Sequence, residues 1–201
     1  LDAMCCQNIG WNSVLLGELT RGEALLNRAL DCMKQLKAEQ SIDYLTCKRN
    51  LGLLYIQQVR FPEAIRLYRE IVSGLKSCSG GEQTTLRAKT AAELFFLLEH
   101  ENHTSEAQKF ADDAADWLSA LYGGNSPMLA ELLLRMIGYA IEEGDGAALE
   151  RLLDRIEPVF SGSACKGTAL EARWLNYLGV YCCDALGSYG DALKCFSASA
   201  R

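Results

Sequence analysis

The sequence has no long hydrophobic run. Its longest purely apolar stretch, Leu94 to Leu98, falls far short of the roughly 20 residues a helix needs to span a bilayer. Positive charge is also scarce, with 20 Lys+Arg against 26 Asp+Glu and a net charge of −6. That excludes a sequence-independent grip on DNA or RNA, because phosphate binding needs a basic surface whose counterions can be released. With 3 Pro and 17 Gly there is no collagen, polyproline or linker composition. Runs of β-branched residues are missing, which argues against a strand-rich fold. There is no Gly-rich phosphate loop after a strand, no Gly-x-Ser-x-Gly elbow and no His-Glu-x-x-His.

What is present is a core-forming chain of 201 residues, 49% hydrophobic and 23% charged. Without strand patterns, that content predicts an all-helical fold. Nine cysteines are many for this length, and an odd number cannot all pair internally. Cys5-Cys6 and Cys182-Cys183 are successive residues in helical patterns. They point about 100° apart on a helix and do not share a face. Cys32, Cys47, Cys78, Cys165 and Cys195 are scattered without Cys-x-x-Cys spacing. Reduced, buried thiols are the expectation, in a cytoplasmic or nuclear setting; a disulfide scaffold is the weaker alternative. The chain opens on Leu1 rather than Met and ends mid-pattern at Arg201, so it reads as a piece of a longer protein.

An internal repeat organises the chain. Asn8-Ile9-Gly10 recurs as Asn50-Leu51-Gly52, 42 residues later. Each is followed by an apolar stretch, a polar turn and a second amphipathic segment, beginning at Gly22 and at Phe61. Similar landmarks stand near Phe95, at Ile137-Gly138 and at Leu178-Gly179. The expected architecture is therefore five helix-turn-helix hairpins in a single repeat domain over 1–201, at about 1–40, 41–80, 81–124, 125–164 and 165–201. Pro62 suits the first position of a helix, and Gly144 and Gly187 punctuate the equivalent turns. Joints between hairpins fall at 77–81, 122–127 and 161–163, rich in residues that stop helices. In the second helices, Ala64, Tyr68, Ile71 and Leu75, and Ala107, Phe110, Ala114 and Leu118, lie at helical spacing.

Leu51, Gly52, Tyr55, Ala64 and Tyr68 hold the signature places of the tetratricopeptide repeat, and the chain resembles that family. The long period, with Asn8 before Ile9-Gly10, Asn50 before Leu51-Gly52 and Gly124-Asn125-Ser126-Pro127 at a joint, is similar to the repeats of kinesin light chains, with Ser126 where those carry His. At the Asn position the later repeats have Glu93, Met136 and Tyr177. The resemblance implies an α-solenoid whose concave face is lined by the first helix of each hairpin. The lining positions it implies are Gln7, Asn8, Trp11, Val14 and Leu15, then Arg49, Asn50, Leu53, Ile56 and Gln57. Phe96, Glu99 and His100 follow, then Arg135, Tyr139 and Glu142, and finally Asn176, Val180 and Asp184.

An Asn in such a groove can donate to and accept from a peptide backbone at once. Arg49 and Arg135 offer charge-assisted bonds to carboxylates or phosphates, and Trp11, Phe96 and Tyr139 offer aromatic anchors. Each position has a plainer reading. Trp11 packs under a preceding repeat, Asn50 is a solvated helix residue, and Arg49 and Arg135 are solvated charges. Glu93, Glu99, Glu142, Glu143 and Asp184 put acid beside the arginines, so an acidic tail is not the expected ligand.

His100 and His103, the only histidines, are too few ligands for a metal site. Carboxylate pairs such as Asp112-Asp113 and Glu142-Glu143 suit polar helix faces rather than acid–base work. No cofactor or catalysis is expected. The sequence reads as a scaffold or adaptor that binds an extended peptide or helix of a protein partner along its groove, with self-association through open repeat ends. The alternative is a structural spacer in a larger assembly, or a regulatory region of an enzyme whose catalytic domain lies outside this chain.

Overall fold

The structure, a computed structural model, describes residues 2–75, 81–123, 126–161 and 165–200. Ten helices appear among them: α1 (Ala3–Leu15), α2 (Leu19–Gln35), α3 (Ile42–Gln57), α4 (Phe61–Gly74), α5 (Gly81–His100), α6 (Thr104–Tyr122), α7 (Pro127–Glu143), α8 (Gly146–Ser161), α9 (Ala169–Asp184) and α10 (Tyr189–Ser199). No strand occurs among the described residues, and the chain is an all-α solenoid of five hairpins. The joint residues 77–80, 124, 125, 162 and 163, with Cys78 among them, lie outside the described residues.

The repeat is written most regularly in the backbone of the hairpin turns. A residue with positive φ closes each first helix: Gly17 (81°), Val59 (61°), Asn102 (60°), Gly144 (70°) and Gly187 (62°). At the first four turns the next residue donates its N–H to the carbonyl five residues back, from Glu18 to Ser13, Arg60 to Tyr55, His103 to Leu98 and Asp145 to Ala140, at 2.8 to 2.9 Å. This bonding satisfies carbonyls that a helix end would otherwise orphan. The fifth turn is one residue wider, with Ser188 donating to Cys182 at 2.8 Å.

The turns also set the register. Seven residues before the turn residue stand Gly10, Gly52, Phe95 and Ile137. In the fourth hairpin, Ile137 therefore holds the place assigned by sequence to Gly138. In the fifth, the extra residue lies in the turn, because Gly179 faces Phe196 of α10 as Gly52 faces Tyr68 of α4.

Packing divides the chain into two units, Leu1–Phe110 and Ala111–Arg201, with the boundary inside α6. In the first unit α1 packs on α2, α2 on α3, α3 on α4 and α4 on α5, while α1, α3 and α5 lie side by side. Its core holds Leu26, Leu54, Tyr68, Ile71, Leu75, Leu94, Phe95 and Leu98, all fully buried. In the second unit α7 packs on α8, α9 on α10 and α7 against α9, around Leu132, Leu133, Leu134, Ile137 and Ile156. The small–large pattern of the second helices sits inside. Ala64, Tyr68, Ile71 and Leu75 are buried, as are Ala107, Ala114 and Leu118, with Phe110 half-buried.

Helix starts follow ordinary capping chemistry. Ser41 and Ser126 accept the N–H of Tyr44 and Leu129, each at 3.2 Å, and Pro127 opens α7 where its missing N–H leaves nothing unpaired.

Candidate functional site

The first helices carry the residues expected to line a groove. In the first unit these lie on three adjacent helices, α1, α3 and α5. Asn8 and Gln57 are exposed, Trp11, Leu53 and Phe96 are half-buried, and Asn50 is buried. Trp11, Leu53 and Phe96 occupy one corresponding place, each directly after the register residue Gly10, Gly52 or Phe95. They form a row of partly exposed apolar side chains, one per hairpin. Phe96 meets Phe95 edge-on, with ring centroids 5.3 Å apart.

Arg49 is not a free cation awaiting a partner's carboxylate. Its Nε donates to Glu93 Oε2 at 3.1 Å and its Nη2 to Glu93 Oε1, so the fork of α3 is closed by a carboxylate of α5. Both side chains are only 19% exposed. The acid expected to sit beside Arg49 therefore cancels it. Behind this pair lies the fully buried Tyr68, whose phenol is pushed up by burial and by the Glu93 charge.

In the second unit the expected residues are Arg135 and Tyr139 on α7 and Asn176 on α9. Arg135 donates from Nε to Glu131 Oε1 at 3.1 Å, one turn back on its own helix. Arg173 of α9 reaches the same carboxylate with both Nη atoms, at 3.0 and 2.7 Å. Burial alone would raise the Glu131 carboxyl, but these two arginines outweigh it and hold it below the usual carboxylate range. Arg135 thus serves an inter-helix charge cluster, and by the turn register it corresponds to Asn50 rather than to Arg49. Tyr139 is half-buried and Asn176 exposed.

Sequence reasoning missed a polar cluster at the turn between α3 and α4. Arg60 donates from Nη1 to Glu23 Oε1 at 2.9 Å and from Nε to Glu63 Oε1 at 2.9 Å, and its guanidinium lies 4.1 Å from the centroid of the Tyr55 ring. Gln58 adds a bond to Glu23 at 3.0 Å. Burial raises the Glu23 carboxyl, but the bonds from Gln58 and Arg60 prevail and leave it below its ordinary value. Two further pairings tie second helices together, Arg69 of α4 with Glu106 of α6, and Arg155 of α8 with Asp112 and Asp116 of α6. For the pairings between hairpins, Arg60 with Glu23, Arg69 with Glu106 and Arg155 with Asp112 and Asp116, the signal was opposite charge separated by about one repeat length.

His100 is exposed, its ring tilted against that of Phe61 with centroids 4.7 Å apart. Among the described residues no group of three His, Cys, Asp or Glu side chains is placed to hold a metal ion. The eight described cysteines are free thiols, with Cys6, Cys47, Cys165 and Cys182 buried. No helix of the described residues is long and apolar enough to cross a membrane.

Comparison with known proteins agrees with this geometry. Residues 13–77 match the family model of the tetratricopeptide repeat. No curated protein matches the chain. Among solved structures, the fold is similar to that of BtubC (BKLC) from P. vanneervenii, with TM-score 0.67 and 19% identity over 94% of this chain and 74% of that one. It is also similar to the TPR-like repeats of a putative kinesin light chain from Podosopora anserina, with TM-score 0.69 and 12% identity over 98% of this chain and 92% of that one. MamA is a further neighbour, with TM-score 0.56 and 16% identity over 95% and 92% of the two chains.

Proposed function

We propose that this chain, which carries tetratricopeptide repeats by its match over residues 13–77 and by its fold, is an adaptor that holds a segment of a protein partner along the first helices of its hairpins. Repeats of this family mediate protein–protein interactions, and their members are typically non-catalytic scaffolds. The observation that carries the finer reading is the row Trp11, Leu53 and Phe96, partly exposed on adjacent helices and flanked by exposed Asn8 and Gln57. Apolar anchors beside amides suit a peptide or amphipathic helix that buries hydrophobic side chains while its backbone bonds to Asn and Gln.

Electrostatics narrows the ligand. The Arg49 charge is answered by Glu93, so the row offers no unpaired basic fork for an acidic tail. A segment of low net charge fits better. The unbroken period of 42 or 43 residues supports one repeat domain across 1–201, and the free thiols favour a reducing compartment, cytoplasmic or nuclear.

The test is site-specific photo-crosslinking in cell extract, with a crosslinking amino acid at position 8 or 57, or at exposed position 66 on α4 as control. Under this reading partners crosslink from positions 8 and 57 and not from 66. Capture from 66 alone would assign the work to the second helices and favour a structural spacer.

A further inference from the structure

The turn of the fourth hairpin lacks a side chain that its counterparts have. Two residues after the turn residue stand Leu19, Phe61, Thr104 and Gly146 in the first four hairpins, and Tyr189 in the fifth. At the joint between the second and third hairpins this place is filled. Phe61 lays its ring against that of His100 on α5, with centroids 4.7 Å apart. His100 follows the register residue Phe95 by five, and Asp184 of α9 follows Gly179 by five, so Asp184 stands where His100 does. Between the fourth and fifth hairpins both rings are therefore absent. A Cβ placed on Gly146 would meet nothing within 4 Å.

The empty place is a notch of about 290 Å³ between the α7–α8 turn and the end of α9. Ile141 and Leu149 lie on one side, Val180 and Tyr181 on the other, and the exposed Asp184 stands at the mouth. A cavity of roughly 150 Å³ is enough to take up benzene, so this notch has room for an aromatic side chain. Its charge is of one sign. None of the described lining residues is basic, and the Tyr181 hydroxyl donates to Glu150 at 3.3 Å, which holds a second carboxylate close to the wall. A ring entering here would exchange water for apolar walls, and a cation next to that ring would be drawn to Asp184 and Glu150.

We propose that this notch takes an aromatic side chain of a protein partner, from a segment in which Lys or Arg stands next to the aromatic residue. The ring occupies the place that Phe61 fills from within the chain at the second hairpin, and the neighbouring cation faces Asp184. Both walls come from consecutive hairpins, α7 and α8 of the fourth and α9 of the fifth. The surface is separate from the row of Trp11, Leu53 and Phe96, because the notch belongs to the second unit and opens at a hairpin turn. A pocket for one ring, with a solvated carboxylate at its mouth, is a weak and selective contact, in the millimolar range for a short peptide.

The test is amide chemical-shift mapping of the whole chain, titrated with an acetylated and amidated tripeptide, Lys-Phe-Lys. The amides of Gly144, Gly146, Tyr181 and Asp184 are expected to shift and to saturate in the millimolar range. Replacing the Phe of the peptide by Ala is expected to weaken binding about tenfold or more, and replacing both Lys by Glu to weaken it severalfold. Gly146→Phe, which supplies the missing ring from the chain itself, is expected to abolish the peptide-induced shifts and to leave the rest of the spectrum in place. Asp184→Asn keeps the notch and is expected to weaken Lys-Phe-Lys by up to about fivefold. Equal binding of Lys-Ala-Lys would reveal mere attraction of opposite charges and overturns the proposal. So does saturation that survives Gly146→Phe, or the absence of any shift at these amides with about 10 mM peptide. Shifts at the same amides on concentrating the chain alone would assign the notch to a second copy, and that overturns it too.

Discussion

Gly52 of α3 lies so close to Tyr68 of α4 that a Cβ at residue 52 would overlap the edge of the phenol ring. Gly179 stands to Phe196 in the same way, with a Cβ meeting ring carbons at 2.6 to 2.9 Å. The missing side chain is what lets the two helices of these hairpins approach. Gly52→Ala gains about 1 kcal/mol of helix propensity and loses about 1–3 kcal/mol to overpacking against a fully buried ring. The expected net effect is destabilisation, read as a lower urea midpoint. Gly138→Ala, whose nearest neighbour is the Tyr177 hydroxyl at 3.1 Å, is expected to cost less. A Gly52→Ala chain as stable as wild type would refute this account.

Val59 is the opposite case. It holds φ at 61° in a hairpin turn where three of the four equivalent turns have Gly and the fourth has Asn. A β-branched residue is strained there, and its side chain is exposed, so little packing compensates. Val59→Gly is expected to stabilise by about 1 kcal/mol, seen as a raised melting temperature with an unchanged circular dichroism spectrum.

The Arg49–Glu93 pair links α3 to α5 with both groups mostly out of solvent. A double-mutant cycle with Arg49→Met and Glu93→Gln is expected to give a coupling of about 1 kcal/mol or more, above the value of a solvated surface pair. Arg49→Glu would set two carboxylates face to face and destabilise more than either. A coupling near zero would mean that the pair is solvated in solution and that Arg49 is available to a ligand.

The Glu131 carboxyl is held below its ordinary value of 4.5. Above that value the carboxyl is ionised whether folded or unfolded, and its contribution to stability is fully present. As pH falls through the lower folded value the contribution is lost, because the unfolded chain takes up the proton first. Glu23 acts in the same direction. Stability is therefore expected to decline below about pH 4.5. Glu131→Gln should lower stability at neutral pH and make that decline shallower; an unchanged slope would remove Glu131 from the account.

Burial, with the neighbouring Cys6 thiol adding to it, pushes the Cys47 thiol up to about 12. Cys5 is exposed. Iodoacetamide at neutral pH is expected to label Cys5 and spare Cys47 until denaturant is added, since the thiolate is the reacting form. Mass spectrometry of the labelled peptides reads the outcome, and rapid labelling of Cys47 in the folded chain would show that α3 opens readily.

The five hairpins were legible in the residues alone because their determinants are local. Apolar positions at helical spacing, breakers between them, and the recurrence of Asn-x-Gly after 42 residues depend only on neighbours in sequence. The register of the fourth hairpin was not legible. Gly138 imitates the landmark glycine, and only the left-handed Gly144 shows that Ile137 occupies that place. The wider last turn was equally hidden, because one inserted residue leaves the composition of a turn unchanged.

The candidate surface divides along the same line. That Trp11, Leu53 and Phe96 share one place in the repeat follows from sequence period, since a period fixes which positions correspond. Whether a charge in that surface is available to a ligand depends on what lies across the gap between hairpins. Arg49 meets Glu93 and Arg173 meets Glu131 only because α3 packs beside α5 and α7 beside α9. Residues 42 or 44 apart have no influence on each other in an extended chain. Stacking brings them within hydrogen-bond reach, and Coulomb attraction in the partly dry space between helices then decides the partner.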